Sequence, residues 1–217
     1  MLTKQQIVAV LRGETVEHDG LTLAWRAVHP DLRSSHTYRW PLPGRWAMSD
    51  PGDREYTEGD PCPQFAGDGL CLARTWRGAA SGDIPAITGL ICGYLPEDIL
   101  AKDVDKLRVR RAFVFEIVDI QRVIRHGHMA GAVMFWADLR YGNLRGADLR
   151  GTYLEYANLT GANLAHTDLR GARLTNACLL RANLENANLV DAHLKYADFR
   201  HTNLWHAIIQ GAKKEAE

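Results

Sequence analysis

A strict period of five residues in the C-terminal part constrains the fold of this chain more than any other feature. From Ala132 on, sixteen consecutive units carry an apolar residue at their centre, and it is leucine in thirteen of them. A small residue, Ala, Gly or Thr, stands two positions before every centre. A repeat of this regularity has to be interpreted before local propensities are considered.

The period of five fits neither an α-helix nor a flat strand. On a helix, successive centres drift by about 140° and form no common face. On a strand, an odd period places successive centres on opposite faces. A coil that turns a corner after every five residues fits, with the small residue and the centre pointing inward and the last two residues forming the corner. Glycine at the second corner position, as in Gly146 and Gly151, agrees with a turn there.

Four such corners close a square coil of 20 residues, so sixteen units predict about four stacked coils. The small positions are required because a larger side chain would overpack the narrow interior. Burial of the centres does not by itself offset the backbone entropy, so hydrogen bonds between coils and capped ends are needed. The predicted structural core is Leu139, Leu144, Leu149, Leu154, Leu159, Leu164, Leu169, Leu174, Leu179, Leu184, Leu189, Leu194, Phe199 and Leu204.

The stretch GADLRGTYLEYANLTGANLAHTDLRGARL resembles the pentapeptide-repeat family, whose motif is A-(D/N)-L-x-x. The resemblance covers about residues 130–211, somewhat more than a third of the chain. It implies an all-β repeat solenoid, a right-handed quadrilateral β-helix. It also implies a binding or structural role, because most members of the family have no catalytic site.

Residues 20 apart are expected to stack on one face of the rod. An unbroken asparagine column predicts a ladder of hydrogen bonds between coils; its members are Asn143, Asn163, Asn183 and Asn203. A second column holds the aromatic residues Trp136, Tyr156 and Tyr196. These rings either stack to support the rod or form an exposed stripe that binds a partner.

The last units carry three further candidate contact residues, Trp205, Ile208 and Ile209. An open coil end exposes unpaired backbone groups, which have to be capped or paired. We therefore expect this end to pack against another copy of the chain or against a different protein.

The balanced charge argues against DNA binding and against DNA mimicry. The chain has 26 Lys and Arg against 26 Asp and Glu, and from Met129 on the numbers are ten and nine. A DNA-binding rod needs a basic stripe, so direct nucleic-acid binding is not expected. Some pentapeptide-repeat proteins resemble DNA and protect type II topoisomerases, but that role needs an anionic surface. Regulation of a topoisomerase is kept as the alternative function.

Residues 1–128 lack the five-residue period and predict a small α+β domain. A T-x-x-Q capping box at Thr3 and Gln6 predicts a helix from Met1 to Gly13. Strands are predicted at Leu21 to Val28, Leu70 to Trp76 and Leu107 to Ile124, the last one feeding and capping the first coil. Pro96 is expected to open a short helix.

Two interpretations of the first domain remain open. The segment from Trp40 to Trp46 is either part of a core with solvated charges or a binding cleft in which these two tryptophans contact a partner. The domain contains no nucleotide-binding, hydrolase or metalloprotease motif, so an enzyme site there is the second alternative.

We expect no cofactor and no metal. The cysteines Cys62, Cys71, Cys92 and Cys178 have no metal-binding spacing and are expected to be reduced thiols. Four aspartates on Gly/Pro-rich segments, Asp50, Asp53, Asp60 and Asp68, lack EF-hand spacing.

Taken together, the sequence predicts an α+β domain at 1–128, a β-helix at 129–211 and a charged tail at 212–217. No apolar run is long enough for a transmembrane helix, and no signal peptide is recognisable. The expected function is that of a non-enzymatic scaffold or interaction protein, in the cytoplasm or in a particle such as a phage assembled inside a bacterial cell.

Overall fold

A computed structural model divides the chain into two compact units, Met1–Asp119 and Ile120–Glu217. The division precedes the predicted boundary at residue 128, because a helix that the sequence did not reveal belongs with the repeats. The described residues are 1–28, 30–33, 39–48, 70–80, 85–102, 104–126 and 129–213. Cys62, the four aspartates weighed for calcium and the tail from Lys214 lie outside them.

The first unit contains an eight-stranded sheet in which every described pair of strands is antiparallel. The order across the sheet is β3-β8-β5-β2-β4-β7-β6, and β1 also pairs with β2. The strands are β1 Glu17–His18, β2 Leu21–Val28, β3 Arg45–Met48, β4 Leu70–Ala73, β5 Thr88–Tyr94, β6 Ile99–Lys102, β7 Lys106–Val109 and β8 Arg111–Asp119.

The helix predicted at the start of the chain is present as α1, Lys4–Leu11. The Thr3 side chain accepts the Gln6 N–H, and the Gln6 side chain accepts the Thr3 N–H, as the capping box predicted. Leu11 is fully buried, so the helix is held by its apolar stripe. Two shorter segments are α2, Trp76–Ala80, and a 3-10 turn, Pro96–Asp98, that opens on the predicted proline.

The strand predicted from Leu107 to Ile124 is wrong from Ile120 onward. The segment forms β7 and β8 and then the helix α3, Ile120–His126. Ile120 and Ile124 are both fully buried, which is the i, i+4 stripe of a helix rather than the alternation of a strand. The strand predicted to end at Trp76 likewise stops at Ala73, because α2 begins at Trp76.

The second unit is built from short parallel bridges between residues 20 apart, from Val133–Tyr153 to His193–Lys213. Along this ladder the Leu144 N–H donates to Asn163 O at 2.9 Å, and the Asn163 N–H donates to Gly142 O at 2.8 Å. Each backbone segment is thus bonded to the coil before it and to the coil after it, as the predicted stacking requires.

Each corner is a tight turn closed by a hydrogen bond to the residue three positions earlier, such as Ala147 N–H to Leu144 O at 3.0 Å. The second corner residue has a positive φ, as in a type II turn. Glycine fills this position in part, with φ 70° at Gly146. The other corners use Trp136, Tyr141, Tyr156, His166, Asn176, Arg181, Asn186, Asp191, Tyr196, His201 and His206.

Helix α3 caps the first coil with two side chains that lie one helical turn apart. Gln121 Oε1 accepts the Asn143 N–H at 2.9 Å, and the Arg125 guanidinium donates to Asn143 O. In the next coil the corresponding backbone groups of Asn163 bond to Gly142 and Leu144. Gln121 and Arg125 therefore replace the backbone partners that a preceding coil would supply.

The centres of the repeats form the core of the rod as predicted, except at the last coil. Leu144 to Leu189 are fully buried, and Leu194 is 5% exposed. Phe199 is only partly buried and Leu204 is 41% exposed, so the prediction of Leu204 as a core residue is wrong. No following coil covers Leu204 among the described residues, and its side chain faces an open end.

Candidate functional site

The aromatic column forms an exposed, flat surface at one corner of the rod. The Trp136 and Tyr156 rings stack with centroids 4.6 Å apart and planes 5° from parallel. They are 47% and 46% exposed, and Tyr196 is 72% exposed. Asn176 separates Tyr196 from the stack, and the Lys195 ammonium lies 4.7 Å from the Tyr196 ring centroid. The Trp136–Tyr156 stack therefore joins two coils at this corner, and much of its ring area is exposed.

A second aromatic cluster lies beside this corner, and the sequence analysis missed it. Phe135 and Tyr153 meet edge to face at 5.9 Å, and the Arg173 guanidinium lies 5.2 Å from the Tyr153 ring centroid. Arg173 Nε is 2.7 Å from Glu155 Oε1. The Phe135–Tyr153 and Glu155–Arg173 contacts join residues 18 apart, diagonally between coils, so the columns of residues 20 apart do not reveal them.

The C-terminal coil end exposes an apolar surface made of Leu204, Trp205, Ile208 and Ile209. Their exposed fractions are 41%, 67%, 50% and 47%. Trp205 is also stacked on His206, with ring centroids 5.1 Å apart. Three of the four were predicted from sequence as contact residues, and the structure brings all four to one end of the rod.

Some backbone groups at this coil end have no backbone partner among the described residues. The N–H groups of Phe199, Leu204 and Ile209 have no backbone acceptor within the described part of the chain. One coil earlier, the Leu184 N–H donates to Asn203 O at 2.8 Å. Carbonyl oxygens of the same edge, those of Ala197, Thr202 and Ala207, likewise accept no backbone N–H among the described residues. The edge thus offers both donors and acceptors.

The asparagine column works mainly within each coil rather than as a side-chain ladder. Each side-chain oxygen accepts the N–H two residues on, for example Asn183 Oδ1 from Glu185 at 3.1 Å and Asn203 Oδ1 from Trp205 at 3.1 Å. One bond between coils joins Asn203 Nδ2 to Asn183 Oδ1 at 2.9 Å. Asparagine at this position therefore stabilises the backbone conformation at the start of the corner.

The structure separates the two tryptophans that suggested a cleft in the first unit. Trp40 is 3% exposed in the core cluster, where Arg26 lies over its ring at 5.7 Å. Its prediction as a contact residue is corrected, because no partner reaches a buried ring. Trp46 is 39% exposed on β3, the edge strand, with the Arg111 guanidinium 5.0 Å from its centroid.

Asp–Arg pairs two residues apart balance the charge of the rod locally. Asp148 and Arg150 bond at 2.8 Å, and Asp168 and Arg170 at 2.7 Å. Arg150 Nε also lies 3.8 Å from Asp168 Oδ2, so the two pairs are linked from coil to coil. The surface therefore alternates in sign instead of presenting a continuous acidic face.

The hydrogen bond from Arg200 to Asp198 predicts a measurable pH effect. Chiefly because of this bond, the pKa of Asp198 is lowered from 3.8 to about 2. A lowered native pKa stabilises the fold above pH 3.8, and the contribution is lost as the pH falls to about 2. Carbon NMR should give an Asp198 carboxyl midpoint near pH 2.

Arg200→Gln should raise that midpoint toward 3.8, whereas Arg170→Gln should leave it unchanged because Arg170 bonds to Asp168 instead. A wild-type midpoint that Arg200→Gln does not move would contradict the assignment of the bond.

Side chains that could hold a metal ion do not form a cluster in the described residues. No group of three His, Cys, Asp or Glu side chains suited to a metal ion occurs there. Cys71 and Cys92 are both buried, and burial raises the pKa of the Cys92 thiol to about 12. Cys178 Sγ lies 3.2 Å from Thr160 Oγ1. Within the described residues, no helix has the length and apolar character needed to cross a membrane.

Comparison with known proteins places the repeats in a family. Residues 132–171 and 167–205 match the model described as Pentapeptide repeats (8 copies). No curated protein matches the chain. Such repeats imply a right-handed β-helix solenoid, and proteins that contain them are generally non-enzymatic scaffolds.

Several solved pentapeptide repeat proteins are similar to this chain. One from Nostoc Pcc 7120 is 40% identical over 35% of this chain and 62% of its own, with a TM-score of 0.34. One from the Arabidopsis thaliana thylakoid lumen is 34% identical over 40% of this chain and 68% of its own, with a TM-score of 0.24.

HetL from Nostoc sp. strain PCC 7120 is described as involved in heterocyst differentiation regulation. It is 34% identical over 38% of this chain and 47% of its own length, with a TM-score of 0.21. The chain thus spans between about half and two thirds of the length of these proteins.

Proposed function

This chain belongs to the pentapeptide-repeat family, and we propose that it is a non-enzymatic interaction protein whose rod associates through its C-terminal coil end. The observation that carries the proposal is the contrast between the two ends of the rod. At the N-terminal end, Gln121 and Arg125 satisfy the backbone of Asn143. At the other end, Leu204 and its apolar neighbours are exposed beside unpaired backbone groups.

A second copy of the chain suits this end because the end is self-complementary. A two-fold axis across the rod would bring two identical edges together in antiparallel orientation, as in an isologous dimer. Exposed N–H groups such as that of Leu204 would then face exposed carbonyls such as that of Thr202. The apolar side chains would be buried in the same contact, which supplies the main favourable free energy.

The experiment is a light-scattering measurement of molecular mass on the full chain at several micromolar concentrations. We expect a dimer for the wild type and a monomer for Leu204→Arg, because a charge at the centre of the contact opposes burial. Trp136→Ala removes an exposed ring at the opposite end of the rod and should leave the dimer intact. Circular dichroism confirms that both variants stay folded.

Two results would contradict the proposed contact. One is a wild type that remains monomeric at every concentration, and the other is a Leu204→Arg variant that remains dimeric. Dissociation by Trp136→Ala instead would move the interface to the aromatic column. The rigid rod serves as the scaffold, and with the dimer contact at the coil end the Trp136–Tyr156 stack is a second surface for a protein partner.

The wider setting of this function is also part of the proposal. A location in the cytoplasm, or in an assembly such as a phage particle, rests on the sequence pattern alone. Regulation of a type II topoisomerase through DNA-like charge receives no support from the Asp–Arg pairs, since they alternate charge along the rod. A catalytic role would have to come from the first unit.

A further inference from the structure

The first unit contains a cavity of about 190 Å³ at the point where β2 and β4 separate. These strands pair only at Trp25 and Ala73. Because alternate residues of a strand project to opposite faces, Trp25 lies on one face of β2 and Ala24 on the other. Both line the cavity, and so do the residues that follow α1. The cavity therefore lies in the gap that opens between the two strands.

A buried donor without an acceptor belongs to the wall of this cavity. Trp25 is 1% exposed, and its indole N–H has no hydrogen-bond partner among the described residues. The neighbouring Trp76, whose ring centroid is 4.9 Å away, donates its own indole N–H to Leu11 O at 2.7 Å. An indole nitrogen is a donor only, so the burial of Trp25 is unfavourable unless the cavity supplies an acceptor.

Apolar side chains form much of the remaining wall. Val10 from α1, Leu23 from β2 and Leu107 from β7 all line the cavity, and all three are buried. Val104 adds a further apolar side chain to the border. Walls of this kind favour a ligand with an apolar body, because binding removes that body from water.

The charged side chains of the wall are balanced in sign. Glu14 and Arg74 both line the cavity, and Glu14 Oε1 also pairs with Arg12 Nε at 3.1 Å. A charged ligand would be attracted by one of the two wall residues and repelled by the other, so the wall favours an uncharged ligand. The hydroxyl groups of Thr15 and Tyr94, which also line the cavity, can each donate or accept a hydrogen bond.

We propose that this cavity binds a small uncharged carbonyl compound, a ketone or an amide with a short apolar body. The carbonyl oxygen would accept the indole N–H of Trp25, and the apolar body would pack against the buried valine and leucine side chains of the wall. A cavity of about 150 Å³ is large enough for benzene, so this one accommodates a six-membered ring. The site is separate from the coil end and does not depend on the proposed self-association.

The test follows the indole N–H signals of the full chain by two-dimensional NMR. Cyclohexanone, δ-valerolactam and methylenecyclohexane are titrated separately, since they are similar in size but methylenecyclohexane has no oxygen acceptor. A carbonyl compound should move the Trp25 indole proton downfield, because a new hydrogen bond deshields it, and methylenecyclohexane should not. The Trp76 indole proton is the internal control, since it is already bonded to Leu11 O. A response to only one carbonyl compound distinguishes a ketone from an amide.

Variants then locate the site. Trp25→Phe should weaken the binding of cyclohexanone by about fivefold, measured on the amide signal of Ala73, because it removes the donor and keeps an aromatic ring. Trp46→Phe is the matched control, the same substitution at a tryptophan that is 39% exposed on β3. The comparison of cyclohexanone with methylenecyclohexane needs no variant, so the test remains valid even where Trp25→Phe perturbs folding.

Three results would overturn the inference. The first is a Trp25 indole proton that neither carbonyl compound moves. The second is methylenecyclohexane binding as tightly as cyclohexanone, which would mean that no hydrogen bond to the ligand forms. The third is an affinity for cyclohexanone that is the same in Trp25→Phe as in Trp46→Phe. All three can occur whether or not the protein dimerises, so they are distinct from failure of the proposed function.

Discussion

Replacing Leu164 by Arg is expected to abolish the cooperative unfolding transition of the repeat unit. Leu164 is fully buried, and its N–H donates to Asn183 O at 2.7 Å in the middle of the ladder. The neighbouring inward side chains are Ala, Thr and Leu, so a guanidinium there would have no acidic partner. Burial of an unpaired charge costs several kcal/mol, a large part of the roughly 5–15 kcal/mol that stabilises a typical domain.

The matched control is Leu204→Arg, the same change at the same repeat position on the open coil. Leu204 is 41% exposed, so its guanidinium can reach water and the fold should persist. Far-UV circular dichroism and amide exchange across residues 129–213 distinguish the two variants. Retention of the wild-type transition by Leu164→Arg would contradict the inward assignment of the repeat centres.

The burial of the repeat centres was predictable because a period of five fits a coil that turns a corner after every five residues and fits neither a helix nor a flat strand. Position in the repeat fixes which side chain points inward, and Leu144 to Leu189 follow it. The period does not say where the stack stops. Leu204 occupies the same repeat position as Leu184, yet it is exposed because burial of a centre also requires the next coil.

The left-handed corners were predictable in part. Glycines such as Gly146 indicated the second corner position, which has positive φ throughout the rod. Tyr156 and His166 adopt it as well, with φ 60° and 59°. Positive φ is costly for such residues, and the turn hydrogen bond and both neighbouring coils together over-determine the conformation.

The sequence predicted that the segment before the repeats caps the first coil, but not that the cap is a helix, because that signal is tertiary. The apolar residues near Ile120 continue the pattern of β8, and only packing on the first coil favours a helix there. Gln121 and Arg125 become meaningful once Asn143 is known to lack a preceding coil. Contacts of this kind join distant segments and leave no short-range pattern.

The exposure of the candidate contact residues could be predicted inside the repeats but not outside them. The corner residues Trp136, Tyr156 and Tyr196 are exposed, as the sequence predicted. Trp40 and Trp46 lie in a segment without a repeat, and a Pro-rich pattern does not distinguish a buried ring from an exposed one. The cavity beside Trp25 was also invisible, because it arises where β2 and β4 diverge.

Replacing Gly93 by Ala should destabilise the first unit more than an ordinary surface change does. Gly93 is on β5, paired with Leu23 on β2 and Phe113 on β8. A Cβ at Gly93 would lie 2.6 Å from Phe115 Cε2 and 2.8 Å from Leu21 Cβ. Both distances are too short, so a ring and a strand have to move. Overpacking of this kind costs about 1–3 kcal/mol, which chemical denaturation of the full chain measures.

A double-mutant cycle separates the two contacts, because Phe115 can be shortened and the Leu21 Cβ cannot. Phe115→Leu alone loses the edge contacts to His18 and Phe113, at 5.1 Å and 4.9 Å, and should be destabilising. In the Gly93→Ala background the same change also relieves the overlap, so the two losses should sum to more than the measured loss. Additive losses would instead assign the strain to Leu21 and the β2 backbone. A Gly93→Ala protein as stable as the wild type would mean that β5 does not approach β2 and β8 this closely.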